Sequence, residues 1–215
     1  MRVAWHIIAP ATRRVSMFRE DQSGGVLVEF ALVVSLFLFL FAALLDYGRL
    51  SYSGVTAQNA SQLAARIAAV RPPACAGLPL THQRGTSTAN LRFGTSCSAA
   101  AGVCASVPTI SCTGSAANPT AAEIWGRVSP LLPVGTTIDA LQFTYTFDPN
   151  IGFLGGPYSP MLTVDLALDD FQFASPLAAL ANAAGATNSE IGSAATYSSF
   201  SVSMPAEDLA TGESR

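Results

Sequence analysis

The run Gly24–Phe30 reads GGVLVEF and opens an apolar stretch that continues to Leu45. Between Val26 and Leu45 there are 20 residues, and Glu29 is the only charged one. At about 1.5 Å rise per residue, a helix of this length crosses the roughly 30 Å hydrocarbon core of a bilayer. A cleaved secretory signal has a shorter apolar region, of about 7–15 residues, and a small-residue cleavage site after it. The stretch therefore predicts a retained transmembrane helix.

Flanking charge predicts how this helix is oriented. The 20 residues after the apolar stretch contain one arginine, Arg49. The segment before the stretch contains four, Arg2, Arg13, Arg14 and Arg19. By the positive-inside rule, the N-terminus is expected in the cytoplasm and the body of the protein on the other side. Residues 1–24 would then be a cytoplasmic leader, for which Met1 and Met17 are alternative starts.

Composition and missing motifs narrow the function classes. The net charge is −3 and only 12% of residues are charged, so no basic surface is expected for nucleic acid. His6 and His82 are the only histidines, which is a small supply for general-base catalysis or zinc. The nucleophile motif G-x-S-x-G is absent, and no Lys exists for a phosphate-binding loop. We therefore expect no enzymatic activity, no cofactor, no metal and no nucleic-acid partner.

The cysteines are clustered on the side expected to be translocated. No C-x-x-C spacing occurs, so zinc and thioredoxin-like sites lack their pattern. An even number of cysteines in an oxidising compartment predicts two disulfides, with free buried thiols as the alternative. Three pairings are possible, and the sequence does not choose among them. The four lie within 38 residues, at Cys75, Cys97, Cys104 and Cys112.

One long helix is predicted over residues 25–71, because the first proline after the apolar stretch is Pro72. Beyond the membrane, Leu63, Ile67 and Val70 recur at helical spacing, and Ala60 and Ala64 lie on the same face. This face is expected to pack against the protein's own domain; the alternative is a neighbouring helix in an assembly. Residues 72–118 follow as a disulfide-stapled, irregular loop region.

Residues 119–215 are predicted to form a periplasmic α+β domain. The run Thr120–Glu123 has the form of a capping box and should begin a short helix that ends before Pro130. Alternating apolar and polar residues predict antiparallel strands near 138–147, 161–169 and 197–204. A further helix is expected between Ser175 and Gly185. The expected fold class is α+β, with the long N-terminal transmembrane helix packed on a small antiparallel sheet.

The run Asp148–Gly152 also has residue types found in calcium loops. An EF-hand loop starting at Asp148 would need Gly at its sixth position and Glu at its twelfth, where Phe153 and Ser159 stand. A turn in which Asp and Asn bond the local backbone is the better interpretation.

Glu29 is the residue of the apolar stretch that calls for an explanation, because a carboxylate within a membrane-spanning segment is costly and usually functional. If the chain were cut between Gly24 and Gly25, Glu29 would become the fifth residue of the mature chain. The new α-amino group, with a reference pKa near ~8, could pair with the carboxylate of an adjacent helix. The alternative is a Glu that reaches the membrane interface of a plain anchor, with Phe30 as ordinary apolar filling.

The block GGVLVEFALV at residues 24–33, followed by LDYGR at residues 45–49, resembles the TadE family over about residues 22–70. These are minor pseudopilins of the tight-adherence (Flp) pilus machinery. The resemblance implies a pseudopilin-like fold and cleavage by a prepilin-type peptidase between Gly24 and Gly25. It also implies that Glu29 and Phe30 act in helix–helix assembly, Phe30 standing where the major pilin of this system has Tyr.

The partners implied are other pilin and pseudopilin subunits, the prepilin peptidase, the inner-membrane assembly platform and membrane lipid. The expected protein is a single-pass protein of the bacterial inner membrane that takes part in pilus assembly, in the fibre or in its base. The alternative is an unprocessed membrane-anchored module that binds a partner or glycan in the periplasm. A membrane-tethered hydrolase is a third class, for which the catalytic residues are missing.

Overall fold

The computed structural model describes residues 23–174 and 194–209, with single positions at 176, 179, 183 and 185. Most of the leader, and all but these single positions of the helix expected from Ser175 to Gly185, lie outside the described residues. The described part has the predicted α+β architecture, one long helix with a small antiparallel sheet. In chain order its elements are helix α1 (Ser23–Ala69), strand β1 (Ile110–Thr113), helix α2 (Pro119–Val128) and strands β2 (Leu141–Thr146), β3 (Met161–Leu166) and β4 (Phe200–Pro205).

Helix α1 runs without interruption for 47 residues. No proline occurs within it, and Pro72 and Pro73 follow closely after its end. At about 1.5 Å per residue it is roughly 70 Å long, more than twice the thickness of a hydrocarbon core. Among the described residues it is the one helix long and apolar enough to cross a membrane, and the apolar window is not buried by the rest of the molecule.

The C-terminal half of α1 packs against the domain through alanines. Ala57, Ala60, Ala64 and Ala68 recur every three or four residues and are at most 1% exposed. Their small side chains let the helix backbone approach strands β3 and β4 closely. The helix thus docks on the protein's own domain, the first of the two interpretations above. Leu63 and Ile67 flank this face and are partly buried, whereas Val70 is 54% exposed.

The sheet is an antiparallel meander in the order β1-β2-β3-β4. At its centre Val164 of β3 pairs with Phe143 of β2 and with Val202 of β4. One face carries the core, and the polar residues between the core positions point away from it. The buried side chains of the two central strands are Leu141, Phe143 and Tyr145 in β2 and Leu162, Val164 and Leu166 in β3.

Strand β1 lies in the region expected to be irregular, so residues 72–118 contribute to the sheet. It has only four residues, too few for a pattern to stand out among the surrounding Ser, Thr and Gly. The strand expected from Ile138 begins at Leu141, because residues 138–140 form a turn of 3₁₀ helix. The last two strands are Met161–Leu166 and Phe200–Pro205, within a few residues of their predicted limits.

The start of helix α2 differs from the predicted capping box. Asn118 is the cap: its side-chain oxygen accepts a hydrogen bond from the Ala121 N–H at 3.0 Å. Thr120, expected in that role, is buried and donates its hydroxyl to the Pro72 carbonyl at 2.8 Å. Glu123 does not reach back to a cap but forms a bidentate ion pair with Arg71. The prediction of the capping box was wrong because these side chains have partners at the end of α1.

Two disulfides join the four cysteines. Cys75 pairs with Cys112, with 5.6 Å between their Cα atoms, and links the chain leaving α1 to strand β1. Cys97 pairs with Cys104, with 5.1 Å between their Cα atoms, and closes a short loop. The second disulfide belongs to a small separate core with Val103 and Leu154.

Candidate functional site

The four residues that the sequence singled out at the start of the apolar stretch lie in the first turns of α1. Gly24, Gly25 and Glu29 are exposed, and Phe30 is 68% exposed. A Cβ added to Gly24 or Gly25 would meet no atom within 4 Å. No described part of the chain covers this end of the helix. Among the described residues, this end of the helix is therefore exposed.

The apolar side chains that follow are exposed around the whole helix. Exposing a contiguous apolar surface of this size to water is unfavourable, so this segment needs lipid or other apolar helices around it. Phe37 and Phe41 stack on each other at 6.3 Å, and both remain at least half exposed to the surroundings. The largest exposed fractions in this segment belong to Val26, Leu27, Phe30, Val33 and Leu44.

Directly after the apolar stretch, α1 contacts the domain. Asp46 is only 2% exposed although it follows Leu45 immediately. Its Oδ1 accepts a hydrogen bond from the Ala174 N–H at 3.3 Å and lies 3.3 Å from Nη1 of Arg49. A buried carboxylate needs such partners, because an unpaired one is strongly destabilising. Asp46 thus fixes the backbone at Ala174 to the point where the helix leaves the apolar stretch.

Aromatic side chains surround this contact. The ring of Tyr47 lies 5.6 Å from that of Phe173, and Phe173 lies 5.3 Å from Phe171. The guanidinium of Arg49 is placed over the Phe171 ring at 5.5 Å. One turn further along the helix, the hydroxyl of Ser53 hydrogen-bonds that of Tyr197 at 2.8 Å. We call Tyr47, Arg49, Phe171, Phe173 and Tyr197 the exit cluster.

Sequence reasoning missed the exit cluster. The run Asp46–Arg49 was noted only as the end of a family-like block, and its partners lie more than 120 positions further along the chain. The available signal was the run FQF at residues 171–173, in which both phenylalanines are partly buried while Gln172 is exposed. Nothing in that short pattern indicates which surface the two rings contact.

At the opposite end of the sheet the Cys97–Cys104 core encloses His82. The imidazole is 2% exposed, and its Nε2 accepts a hydrogen bond from the Ser159 N–H at 3.2 Å. Its Nδ1 has no partner within the part of the chain that the structure describes. Burial lowers the pKa of His82, since the charged imidazolium would lose its hydration. A side chain at Gly152 would collide with the ring.

His82 is also the one nitrogen ligand in a cluster with metal-binding residue types. Its ring nitrogen and the sulfurs of Cys97 and Cys104 lie within 4.8 Å of one another. The two sulfurs are bonded to each other, so they do not offer thiolates to a metal ion.

In the run Asp148–Gly152, the Asp148 side chain accepts a hydrogen bond from the Asn150 N–H at 2.9 Å. This is the local turn predicted for that run.

Comparison with curated proteins and with solved structures found no match. A protein-family model does match, that of the TadE-like proteins, over residues 24–66. The matched segment begins at Gly24, contains Glu29 and the whole apolar stretch, includes the Asp46–Arg49 pair and ends within the alanine docking face. The resemblance drawn from the sequence is confirmed over this part of the chain: helix α1 carries a TadE-like segment.

Proposed function

We propose that this protein is a minor pseudopilin, a non-catalytic membrane-anchored subunit that takes part in assembly of a tight-adherence (Flp-type) pilus. The observation that carries the proposal is the N-terminal half of α1. It is continuous, apolar on all sides, uncovered by the domain and contains an exposed Glu29. That segment lies within the match to the TadE-like family, which associates it with pilus systems.

The chemistry proposed for the N-terminus is hydrolysis of the Gly24–Gly25 peptide bond by a prepilin-type peptidase. Water adds to the Gly24 carbonyl, the C–N bond breaks, and a new α-amino group is left on Gly25. With a reference pKa near ~8 this group is mostly protonated at neutral pH. It then pairs with the Glu29 carboxylate of an adjacent subunit.

This pairing sets the axial offset between neighbouring helices. Gly25 and Glu29 are four residues apart, which is about 6 Å along a helix. An amino group on one subunit therefore meets the carboxylate of its neighbour when the two helices are displaced by roughly that distance. Such a pair specifies register even where its contribution to stability is small.

The proposed location follows from the flanking arginines: the leader lies in the cytoplasm, α1 crosses the bacterial inner membrane, and the domain is periplasmic. In the periplasm the two disulfides are stable. The proposed partners are other pilin and pseudopilin subunits, the prepilin peptidase and the membrane-embedded assembly platform. All of them would approach α1, because its apolar half is the surface that the described part of the domain leaves uncovered.

The first prediction concerns processing. In cells with an active prepilin-type peptidase, we expect the mature chain to begin at Gly25, because the bond before it lies on accessible helix. Intact-mass analysis and N-terminal sequencing of the purified protein measure this directly. Cells without the peptidase are the control and should retain the leader. A chain that keeps Ser23 in the presence of active peptidase would instead favour an unprocessed, membrane-anchored binding module.

The second prediction concerns Glu29. The substitution Glu29→Gln removes the charge with little change in shape, so we expect normal membrane insertion and loss of piliation. The matched control is Glu207→Gln, which removes an exposed carboxylate from the other end of the described chain. Pilus counts by electron microscopy, with membrane fractionation of the same cells, test both. Normal piliation of the Glu29 variant would contradict the assembly role of this carboxylate.

A further inference from the structure

We propose that the exit cluster and the turn at Pro133–Thr136 form a collar that lies in the headgroup layer of the same membrane that α1 crosses. The ligand of this surface is the zwitterionic phospholipid interface around the helix. The proposal rests on the membrane anchoring included in the proposed function. It adds that the domain contacts the bilayer surface directly through specific side chains.

The level of the collar follows from distances along α1. The apolar stretch ends at Leu45, and Asp46 follows immediately. The hydrogen bond from the Ala174 N–H to Asp46 therefore holds residues 173 and 174 at the edge of the hydrocarbon core. Arg49 is four positions past Leu45, which is about 6 Å along the helix, and so lies within a headgroup layer of roughly 5–8 Å. Elements that contact Tyr47 and Arg49 cannot lie far outside that layer.

A second segment reaches the same level. A groove of about 430 Å³ is lined by Arg49 and Tyr52 of the helix, by Phe171 and by residues 133, 134 and 136. Val134 at the tip of that turn is fully exposed. Tyr47, two positions past the apolar stretch, is also exposed, at 55%. Tyrosines are enriched at membrane–water interfaces, because the ring lies among apolar groups and the hydroxyl reaches water.

The strands place the rest of the domain away from the membrane. Leu141, Leu166 and Phe200 pair at one end of the sheet. Phe200 contacts Tyr197, so this end is next to the exit cluster. Six-residue strands carry the chain about 17 Å to the other end, where Phe147 contacts the Cys97–Cys104 core. Phe93, 78% exposed and beside Gly155 of that region, is therefore an exposed phenylalanine far from the membrane.

Charge indicates which lipid surface the collar accepts. Arg49 is the cation of the exit cluster, and its guanidinium is engaged by Asp46 and the Phe171 ring. Asp169 and Asp170 line the same groove and are exposed. Two carboxylates at the surface oppose contact with anionic headgroups, since like charges repel. A zwitterionic headgroup, with a cationic outer part, fits this arrangement better.

The test measures membrane depth by fluorescence quenching in the full-length protein. Trp5 and Trp125 are first replaced by Phe, and single tryptophans are then introduced by Phe41→Trp, Phe173→Trp or Phe93→Trp. Each protein is reconstituted in phosphatidylcholine vesicles whose acyl chains are brominated near the headgroup. We expect strong quenching at positions 41 and 173 and none at position 93. Val134→Trp is a second collar probe in case the Phe173 variant does not fold.

The three positions separate the possible failures. Quenching at position 41 without quenching at 173 and 134 would overturn the collar and leave the membrane anchor intact. Absence of quenching at position 41 would overturn the anchor itself and the collar with it. A second arm replaces phosphatidylcholine by phosphatidylglycerol brominated at the same acyl-chain position, in which quenching at 134 should weaken. Equal or stronger quenching there would overturn the assignment to zwitterionic lipid.

Discussion

At the scale of single residues, the two ends of the domain each contain a buried polar side chain with a different arrangement of partners. Asp46 accepts a hydrogen bond from a backbone N–H and lies against the Arg49 guanidinium. His82 accepts one backbone N–H, and its second nitrogen is buried without a partner in the described structure. The arrangement around His82 favours the neutral ring.

His82 should make the protein less stable in acid. Its pKa is lowered in the folded state, so the unfolded chain binds the proton more readily. Its contribution to stability is therefore complete above the ordinary pKa of about 6.5 and declines as the pH falls below it, towards the lowered folded value. In His82→Gln the amide oxygen can still accept the Ser159 N–H but does not titrate.

Thermal unfolding by circular dichroism in detergent, between pH 7.5 and pH 5, measures the effect. We expect the unfolding temperature of the wild type to fall more over this range than that of His82→Gln. The carboxylates titrate alike in both proteins, so the difference between the two slopes isolates the imidazole. Parallel slopes would show that protonation of His82 is not linked to folding.

At the scale of elements, helix α1 was the most predictable part of the molecule. Its apolar run, the absence of proline and the stop at Pro72 are all local features, and the observed limits agree with them. Its docking face was only partly predictable. Ala60 and Ala64 were placed on it, but Val70 is exposed and Ala57 and Ala68 complete it instead. Alanine contributes little to a hydrophobic pattern in the sequence. It is nevertheless the residue that fits where the helix backbone lies close to the sheet.

Enlarging that face should destabilise the domain. Ala64 is fully buried, and Ala64→Leu adds three carbons where helix and sheet are in contact. Overpacking of this kind costs about 1–3 kcal/mol. The matched control is Asn59→Leu, an exposed position on the same helix. Denaturant unfolding in detergent should show the loss for the first variant only; equal effects would mean that α1 does not dock through this face.

The elements that sequence reasoning missed depend on partners distant in the chain. Strand β1 is four residues long and is recognisable only by its pairing with β2. Asn118 was not predicted as the cap because Thr120 and Glu123 have the residue types and the spacing of a capping box. What decides between them is the end of α1: Thr120 bonds the Pro72 carbonyl and Glu123 pairs with Arg71. The exit-cluster contacts could not be predicted either, because they join residues that lie far apart in the sequence.

At the scale of the whole molecule, the disulfides act over different lengths of chain. Cys75–Cys112 spans 37 positions and connects the end of α1 to the sheet, whereas Cys97–Cys104 spans 7 and closes one loop. In the chain-entropy description, closing a longer loop restricts the unfolded state more strongly. The expected contributions are about 4 kcal/mol for the first and about 2 kcal/mol for the second.

Two paired variants test this difference. Cys75→Ser with Cys112→Ser should lower the free energy of unfolding more than Cys97→Ser with Cys104→Ser. Denaturant titration in detergent measures both, and peptide mapping without reductant verifies that the remaining disulfide is intact. A larger loss from the short loop would indicate that packing around His82, rather than chain entropy, governs the contribution of that disulfide.

The uninterrupted helix also couples rotation about its axis to the position of the domain. Thirty-five positions separate Glu29 from Ala64, and at about 100° per residue they bring Ala64 round to roughly a quarter-turn from Glu29. No break in α1 allows the two to turn independently. Any partner that engages Glu29 within the membrane therefore fixes the direction, about the helix axis, in which the domain lies outside the membrane. In an assembly, one carboxylate per subunit would determine on which side of its own helix each domain is displayed.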